Sequence, residues 1–292
     1  MQHPAHGSED SAVTADHNDS AHGWHADSFG GLHLAEWAAE AAGTAILMLV
    51  VVSVVTVVFG PGSAVASVVP ATGPRLLLAG LLIAGTGSLV AVSPLGRLSG
   101  GHINPAVTLG FWLTGHVHRN DLAGYVAAQF LGALAGAALG AAAWGDRAKA
   151  IGYAATRPGH GLSDLGAGAI EVAMTAALLL VIFTFTSRER LMRWTPVATW
   201  ILVACLVWQV APYTDTSLNP ARSLAPAVIA RDARSLWIYL LAPPLGAVLA
   251  ALLVRARLLR LPLTAKLFHD SSYRSVMKTS MAADTAGARG QG

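Results

Sequence analysis

Two copies of the tripeptide Asn-Pro-Ala are the residues best suited to do chemistry in this 292-residue chain. They are Asn104-Pro105-Ala106 and Asn219-Pro220-Ala221, placed 115 positions apart. Asn is a favoured helix N-cap and Pro is tolerated at the first helical position, so each motif predicts the start of a helix. One copy alone would be ordinary turn chemistry, whereas two copies at matching places in a repeat are specific.

The caps predict how the two motifs act. If the side-chain oxygen of Asn104 or Asn219 accepts a backbone N–H, the NH2 group is left pointing into a pore as a fixed donor. Both helices would also direct the positive ends of their dipoles to the centre. Such a site repels cations and hydronium and donates hydrogen bonds to neutral oxygen atoms. The motifs therefore predict a passage for uncharged solutes.

The elements that must position the motifs are membrane helices. The chain is 54% hydrophobic and only 12% charged, whereas soluble domains carry roughly a quarter charged residues. Two apolar stretches too short to cross a membrane, 105–113 and 220–230, start at the motifs and predict re-entrant half-helices. Six longer uncharged stretches predict membrane spans, namely 41–59, 76–95, 122–144, 172–186, 194–210 and 236–254.

The chain repeats itself over about 34–145 and 165–256, with three spans and one half-helix in each copy. An odd number of spans inverts the second copy, so the half-helices enter from opposite faces and meet near the midplane. The predicted fold is an all-α membrane protein with six transmembrane helices and two re-entrant half-helices in inverted repeats. Its channel domain is expected to cover residues 34–256.

Five polar residues accompany the motifs. Arg222 lies in the first turn of the second half-helix, and an arginine within the membrane marks a functional site, with snorkelling as the alternative. Glu40 and Glu171 hold matching places in the repeats and are predicted to accept N–H groups of the re-entrant loops, with proton coupling as the alternative. Gln129 is predicted to join that packing network, and His102 to brace its loop. None of these five residues is predicted to bind a metal.

Both ends of the chain are predicted to be tails. Residues 257–292 are a basic tail that would contact anionic lipid. The positive-inside rule places both termini in the cytoplasm, because twelve Lys/Arg fall on their side of the membrane and six on the other. Residues 1–33 are expected to be a disordered tail, either solvated or active in metal binding or pH sensing. This tail holds six histidines, namely His3, His6, His17, His22, His25 and His33.

Composition and patterning argue against several function classes. The net charge of +3 follows the membrane pattern, so no nucleic-acid partner is expected. No Ser/His, paired-Asp or His-x-x-x-His constellation stands out in the spans, so the chain is not expected to be an enzyme. The single Cys205 excludes an intramolecular disulfide and is expected to be a small core residue. No Lys or Arg precedes Arg75, so the first helix is expected to remain rather than be cleaved as a signal peptide.

These motifs resemble those of the aquaporin superfamily, or major intrinsic proteins, over about residues 35–256. The segments from Ser99 to Thr108 and from Thr216 to Ser223 are close to the family's two signatures. The resemblance implies a passive channel in the cell membrane that forms a homotetramer with one pore per subunit. It implies small neutral solutes and water as partners, and no cofactor.

The resemblance also implies a second constriction, the aromatic/arginine filter. Ungapped offsets from the motifs place its four members at Ala84, Val207, Thr216 and Arg222, with a slip of one residue to Gly85 allowed at the first. Water-selective members carry a Phe and a His at the first two places. The small apolar residues of this chain therefore imply a wider and less polar filter.

The residues around the second motif refine the resemblance. Ser223 follows Arg222 where glycerol facilitators typically have Asp, and Ala227 and Tyr239-Leu240 lie downstream. With a small-residue filter these look most like the nodulin-like intrinsic proteins, which pass glycerol, urea and metalloid hydroxides such as boric, arsenous or silicic acid. A mainly water-selective aquaporin is the alternative, and an ion-coupled secondary transporter is a further class that inverted repeats fit.

Overall fold

The computed structural model describes residues 31–270, 272–273 and 275–277, and helices make up most of it. In this part of the chain six helices are long and apolar enough to cross a membrane. Short helices and one 3-10 turn, Gly152–Ala154, lie in the connections. The twelve α-helices of the described residues are α1 (Leu34–Phe59), α2 (Ala64–Val68), α3 (Thr72–Val92), α4 (Pro94–Ser99), α5 (Pro105–Leu113), α6 (Arg119–Trp144), α7 (Asp146–Ala150), α8 (Asp164–Thr186), α9 (Glu189–Met192), α10 (Thr195–Thr214), α11 (Pro220–Ala230) and α12 (Leu236–Arg255).

The half-helices α5 and α11 have the bounds that the sequence predicts, because the cap and the proline are strong local signals. The spans agree less closely. Helix α8 begins eight residues before the predicted stretch, since Ser163 caps it and Glu171 lies inside it. Helix α3 ends at Val92 rather than at residue 95, because Pro94 starts the next helix. A search for uncharged stretches therefore misses the start of a span such as α8, because the charged Glu171 lies inside it and has hydrogen-bond partners in the protein.

The helices of the two repeats pack in equivalent pairs, with α1 against α6 and α8 against α12. Small residues allow the first pair to approach closely. A Cβ atom added at Gly132 would collide with the Ala41 carbonyl oxygen, and one added at Gly136 would collide with that of Ala45. Backbones that approach this closely are typical of membrane helices, whose association depends on van der Waals packing.

The outer surface of the bundle is apolar. Leu131, Leu139 and Ile201 are each more than half exposed, as expected for side chains that face lipid. Cys205 is also exposed, so the expectation that it packs in the core is wrong. The reason is that lipid and core are both apolar, and hydrophobicity therefore does not tell an inward residue from an outward one in a membrane helix.

The bundle has two faces, one at each end of the membrane-spanning helices. The terminal face is the side where α1 begins and α12 ends, and the filter face is the opposite side. Parts of both predicted tails lie outside the described residues, including His3, His6, His17, His22 and His25. His33 is described, and its Nδ1 atom lies 2.7 Å from Asp121 Oδ1 at the terminal face.

Candidate functional site

The two Asn-Pro-Ala motifs meet in the interior of the bundle, each at the start of its half-helix. Asn104 Oδ1 accepts the N–H of Ala106 at 2.9 Å, and Asn219 Oδ1 accepts the N–H of Ala221 at 3.0 Å. The predicted asparagine caps are therefore confirmed. With no acidic side chain in either first turn, the positive ends of both half-helix dipoles are left without a counter-charge on their own helix.

The asparagine amides also connect the two repeats. Asn104 Nδ2 donates to the carbonyl oxygen of Leu218, and Asn219 Nδ2 donates to that of Ile103, both at 2.9 Å. The prediction that the whole NH2 group faces the pore is wrong in this respect, since one N–H of each amide goes to the opposite loop. The reason is that these buried carbonyls need donors where neither water nor lipid supplies them. One N–H of each amide is thus committed to holding the two pore loops together.

A buried carboxylate holds the loop in front of α5. Glu40 is fully buried and accepts the backbone N–H groups of His102 at 3.0 Å and Ile103 at 2.6 Å. It also accepts from the Ser99 hydroxyl and from Gln129 Nε2, at 2.7 and 2.8 Å. Both Glu40 oxygens are engaged, so the loop conformation is fixed by one side chain of α1.

The second repeat uses the same device. Glu171 on α8 is fully buried and accepts the N–H groups of Ser217 and Leu218, each at 2.8 Å. Leu218 has a φ of 59° and Ile103, its counterpart, a φ of 41°. These left-handed conformations are unfavourable for branched residues and persist only where the surroundings enforce them. The two glutamates supply that enforcement.

Residues of both repeats enclose a cavity of about 140 Å³ where the half-helices meet. Asn104 and Asn219 lie in its wall, with Ala84, Val207, Thr216 and Arg222 toward the filter face and His102 toward the terminal face. Most of the remaining wall is aliphatic, with Val51, Leu178, Ile182 and Val203 among its members. The four predicted filter residues and both motif asparagines thus share one cavity.

Arg222 is held in a fixed position. Its Nη1 atom donates to the carbonyl oxygen of Ala154 at 2.8 Å, and its backbone N–H donates to Asn219 Oδ1 at 3.3 Å. Ala154 lies in the connection between α7 and α8, which reaches back to the pore from the filter face. The guanidinium is therefore anchored inside the bundle rather than extended to the membrane surface.

A second cavity, of about 430 Å³, opens toward the filter face. The residues that line both cavities are Ile83, Val207, Thr216 and Arg222, and these four are called the neck. Ala84 lines only the inner cavity, so the residue that α3 contributes to the neck is Ile83, which sequence reasoning missed. Helical spacing is the sequence signal that could have identified Ile83. One face of α3 lines the two cavities at steps of three or four residues, through Leu76, Ala79, Ile83 and Gly87.

The arrangement suits passage of a molecule rather than its conversion. Besides the asparagine amides and Arg222, the polar side chains of the inner cavity are hydroxyls and one imidazole, and His102 and Ser217 are held by hydrogen bonds to the protein. Among the described residues, no three His, Cys, Asp or Glu side chains come together as metal ligands would. The neck itself presents one guanidinium and one hydroxyl set among aliphatic groups.

Comparison with known proteins agrees with this geometry. The family model described as Major intrinsic protein matches residues 32–254. The chain is 37% identical to Lens fiber major intrinsic protein of Gallus gallus, over 63% of this chain and 70% of the relative. It is 34% identical to Probable aquaporin TIP2-2 of Oryza sativa subsp. japonica, over 78% and 89% of the two chains.

Two further similarities agree with this family, one in sequence and one in fold. The chain is 32% identical to Probable aquaporin NIP7-1 of Arabidopsis thaliana, a nodulin-like intrinsic protein, over 75% of this chain and 74% of the relative. Its fold is similar to the X-ray structure of the aquaglyceroporin from Plasmodium falciparum, with a TM-score of 0.62, 20% identity and coverage of 76% and 96%. The chain therefore belongs to the major intrinsic protein family, the aquaporins, and is a membrane channel rather than an enzyme.

Proposed function

We propose that this channel passes small uncharged solutes, namely glycerol, urea and metalloid hydroxides such as boric, arsenous or silicic acid, together with water. The observation that carries the proposal is the composition of the neck and the wall beside it. Ile83, Ala84 and Val207 are aliphatic, and only Arg222 and Thr216 add polar groups there. A solute that sheds water at this point regains few hydrogen bonds, and Ala84 and Val207 leave more width beside the neck than aromatic side chains would.

Ions and protons are excluded by the centre of the pore. The half-helices direct positive dipole ends at one region, and the Asn104 and Asn219 amides offer donors but no free acceptor there. Arg222 adds a full positive charge one step further along the path. A cation meets three repulsive elements in sequence, whereas the oxygen of a neutral solute accepts hydrogen bonds from the same groups.

The glutamates favour a channel over an ion-coupled transporter. A proton carrier needs a carboxylate that exchanges its proton with the transport path. Each oxygen of Glu40 and Glu171 instead accepts at least one backbone N–H or side-chain donor of the loops. Protonation would break the bonds that fix the pore loops, which supports a bracing role for both residues.

We also propose that the channel is a homotetramer in the cell membrane with both termini in the cytoplasm. The family resemblance supports the tetramer, and the excess of Lys and Arg on the terminal face supports the orientation. Native mass spectrometry of the purified protein is expected to give four chains per particle. Protease added to the outside of intact cells is expected to leave the C-terminal tail uncut.

The double change Ala84→Phe and Val207→His tests the solute range. Bulk at these two places should exclude glycerol and boric acid sterically while a single file of water still fits. Stopped-flow light scattering of proteoliposomes is expected to show a strong fall in glycerol and boric acid flux, with water flux within a few-fold of wild type. The control carries the same changes on outward-facing residues, Ala135→Phe and Val197→His, and is expected to behave as wild type.

Two results would count against the proposal. Unchanged solute flux in a well-folded double variant would show that these residues do not set the size limit. Wild-type protein that conducts water but neither glycerol nor boric acid would establish the water-selective alternative. A parallel fall of water and solute flux in the double variant would place a general block at the neck, contrary to the proposed selective one.

A further inference from the structure

The residues that follow α12 fold back onto the terminal face instead of leaving the protein. This segment, residues 261–270, is called the strap. Its backbone is fastened at two places, since the Leu263 N–H donates to the Thr186 carbonyl oxygen at 2.9 Å and the Leu267 N–H donates to that of Gly100 at 3.0 Å. Thr186 ends α8 and Gly100 precedes α5, so the strap crosses the terminal face from a span to the pore loop.

Side chains fix the strap to that loop. His102 Nε2 donates to the carbonyl oxygen of Ala265 at 2.7 Å, and Lys266 Nζ donates to that of Arg97 at 2.6 Å. Arg97 in turn pairs with Asp270, at 3.0 Å between Nη1 and Oδ2. These contacts come from the short stretch between α3 and α5, which leads into the first Asn-Pro-Ala motif. The strap and the pore loop therefore move as one unit while the contacts hold.

The strap is buried more deeply than a solvated tail would be. Ala265 and Lys266 are 0% and 1% exposed. Lysine is among the residues least often buried without a partner, because an ammonium group must be desolvated. Burial lowers the pKa of Lys266 to about 8, against the opposing carboxylates of Glu36 and Asp270. A lysine held this way indicates a specific docked position rather than a chance contact.

One side chain of the strap reaches the pore. Leu267 lines the terminal-face end of the central cavity, next to His102. In the docked position it sets an apolar group at the entrance, while the His102 ring and the Gly100 carbonyl are occupied by strap partners. Without the strap, the His102 N–H and the Gly100 carbonyl oxygen would face the entrance without these partners. The entrance would also be wider, because the Leu267 side chain would no longer occupy it.

We propose that the strap is an autoinhibitory segment of this channel, which narrows the terminal-face entrance through Leu267 and opens it on undocking. The inference rests on the proposed channel function but not on which solute is carried. The docked and undocked states differ in the contacts of Lys266 and Ala265, so any change that weakens those contacts shifts the population toward the open state.

Two full-length variants test the proposal in proteoliposomes. Lys266→Gln removes the charged donor and is expected to favour undocking about tenfold, because a hydrogen bond from a charged group is replaced by a neutral one. Leu267→Ala keeps the docking contacts and removes the bulk at the entrance. Both variants are expected to raise water and solute flux. The control is Arg260→Gln, which removes the same charge at an exposed position just before the strap and is expected to leave the flux unchanged.

Docking is measured separately from flux. In a Cys205→Ser background, Leu267→Cys reports on the strap through its rate of reaction with a membrane-impermeant thiol reagent applied to the terminal face. Labelling is expected to be slow, and to accelerate about tenfold when Lys266→Gln is added. Because this readout does not depend on transport, it distinguishes a strap that stays docked from a pore that conducts nothing.

The outcomes separate the two proposals. Rapid labelling of Leu267→Cys, or flux unchanged in both Lys266→Gln and Leu267→Ala while wild type conducts, would overturn the autoinhibitory role and leave the channel function intact. A folded protein that labels as expected but passes no water or solute in any variant would overturn the proposed function. If Lys266→Gln fails to fold, a flux in Leu267→Ala equal to wild type is sufficient to reject the strap proposal.

Discussion

At the scale of the residue, Arg222 is the charge on which we expect ion exclusion to depend most. Replacing it with Val removes the positive charge and the hydrogen bond to Ala154, and it widens the neck. We expect neutral-solute flux to be retained or increased and a cation leak to appear. A fall of about 1.4 kcal/mol in the barrier corresponds to a tenfold leak. Potassium flux measured with an ion-sensitive dye in proteoliposomes checks this. A folded variant with every permeability unchanged would show that Arg222 does not line the pore.

Ile83 gives a second test at this scale. If it is the residue that α3 contributes to the neck, Ile83→Ala should widen the passage and raise glycerol flux a few-fold, with a smaller effect on water. The matched control is Ile46→Ala, the same truncation at an exposed position on α1. Stopped-flow swelling of proteoliposomes compares the two. Equal glycerol flux in Ile83→Ala and Ile46→Ala would remove Ile83 from the neck.

Single residues also show what a sequence can and cannot predict here. The hydrogen bonds of Glu40 and Glu171 are those that the sequence predicts, because loops within a membrane must find acceptors in the protein. The roles of these residues in permeation remain predictions. Ile83 was missed because offsets from the family motifs only count positions along the chain. Which side chain of α3 enters the neck depends instead on how α3 is rotated where it packs against α10. Cys205 was misplaced because an apolar residue suits lipid as well as core.

At the scale of the element, the paired half-helices are proposed to form the central barrier. Asn219→Asp would place a negative charge where the two positive dipole ends converge, and an ionised Asp would lose the donor to the Ile103 carbonyl. We expect weaker exclusion of cations, seen as faster dissipation of a potassium gradient in proteoliposomes. If the variant stays as cation-tight as wild type, the convergence of the half-helices is not the barrier.

The contact between α1 and α6 offers a test of stability. A Val at position 132 would force its side chain into the carbonyl of Ala41, and overpacking of this kind costs about 1–3 kcal/mol. Gly132→Val is therefore expected to lower the apparent melting temperature in detergent. Ala135→Val, three residues further along the exposed side of the same helix, is expected to have little effect. Similar melting of both variants would contradict the tight helix crossing.

Elements also differ in how far local sequence determines them. The half-helices have the predicted bounds because Asn, Pro and the apolar run lie next to one another in the chain. The start of α8 and the position of the strap depend on partners far away in sequence, such as the loop that Glu171 braces and the Arg97 carbonyl that Lys266 reaches. Long-range hydrogen bonds of this kind leave no periodic signal in the sequence.

At the scale of the whole molecule, the inverted repeat explains why the pore has two similar halves and two different entrances. The crossing bonds of Asn104 and Asn219 are nearly symmetric. The surroundings are not, because the neck lies toward the filter face and the strap crosses the terminal face. We therefore propose that solutes are selected near the filter face and that access is controlled at the terminal face of the same passage.

The most direct test of the central claim follows glycerol and protons together in wild-type proteoliposomes. Reswelling after a glycerol gradient reports solute flux, and an enclosed pH dye reports proton flux at the same time. We expect glycerol to run down its own gradient at a rate that is independent of any imposed proton or sodium gradient, while the internal pH follows that of protein-free liposomes. Uphill glycerol accumulation driven by an ion gradient, or a protein-dependent proton leak, would contradict a passive channel for neutral solutes.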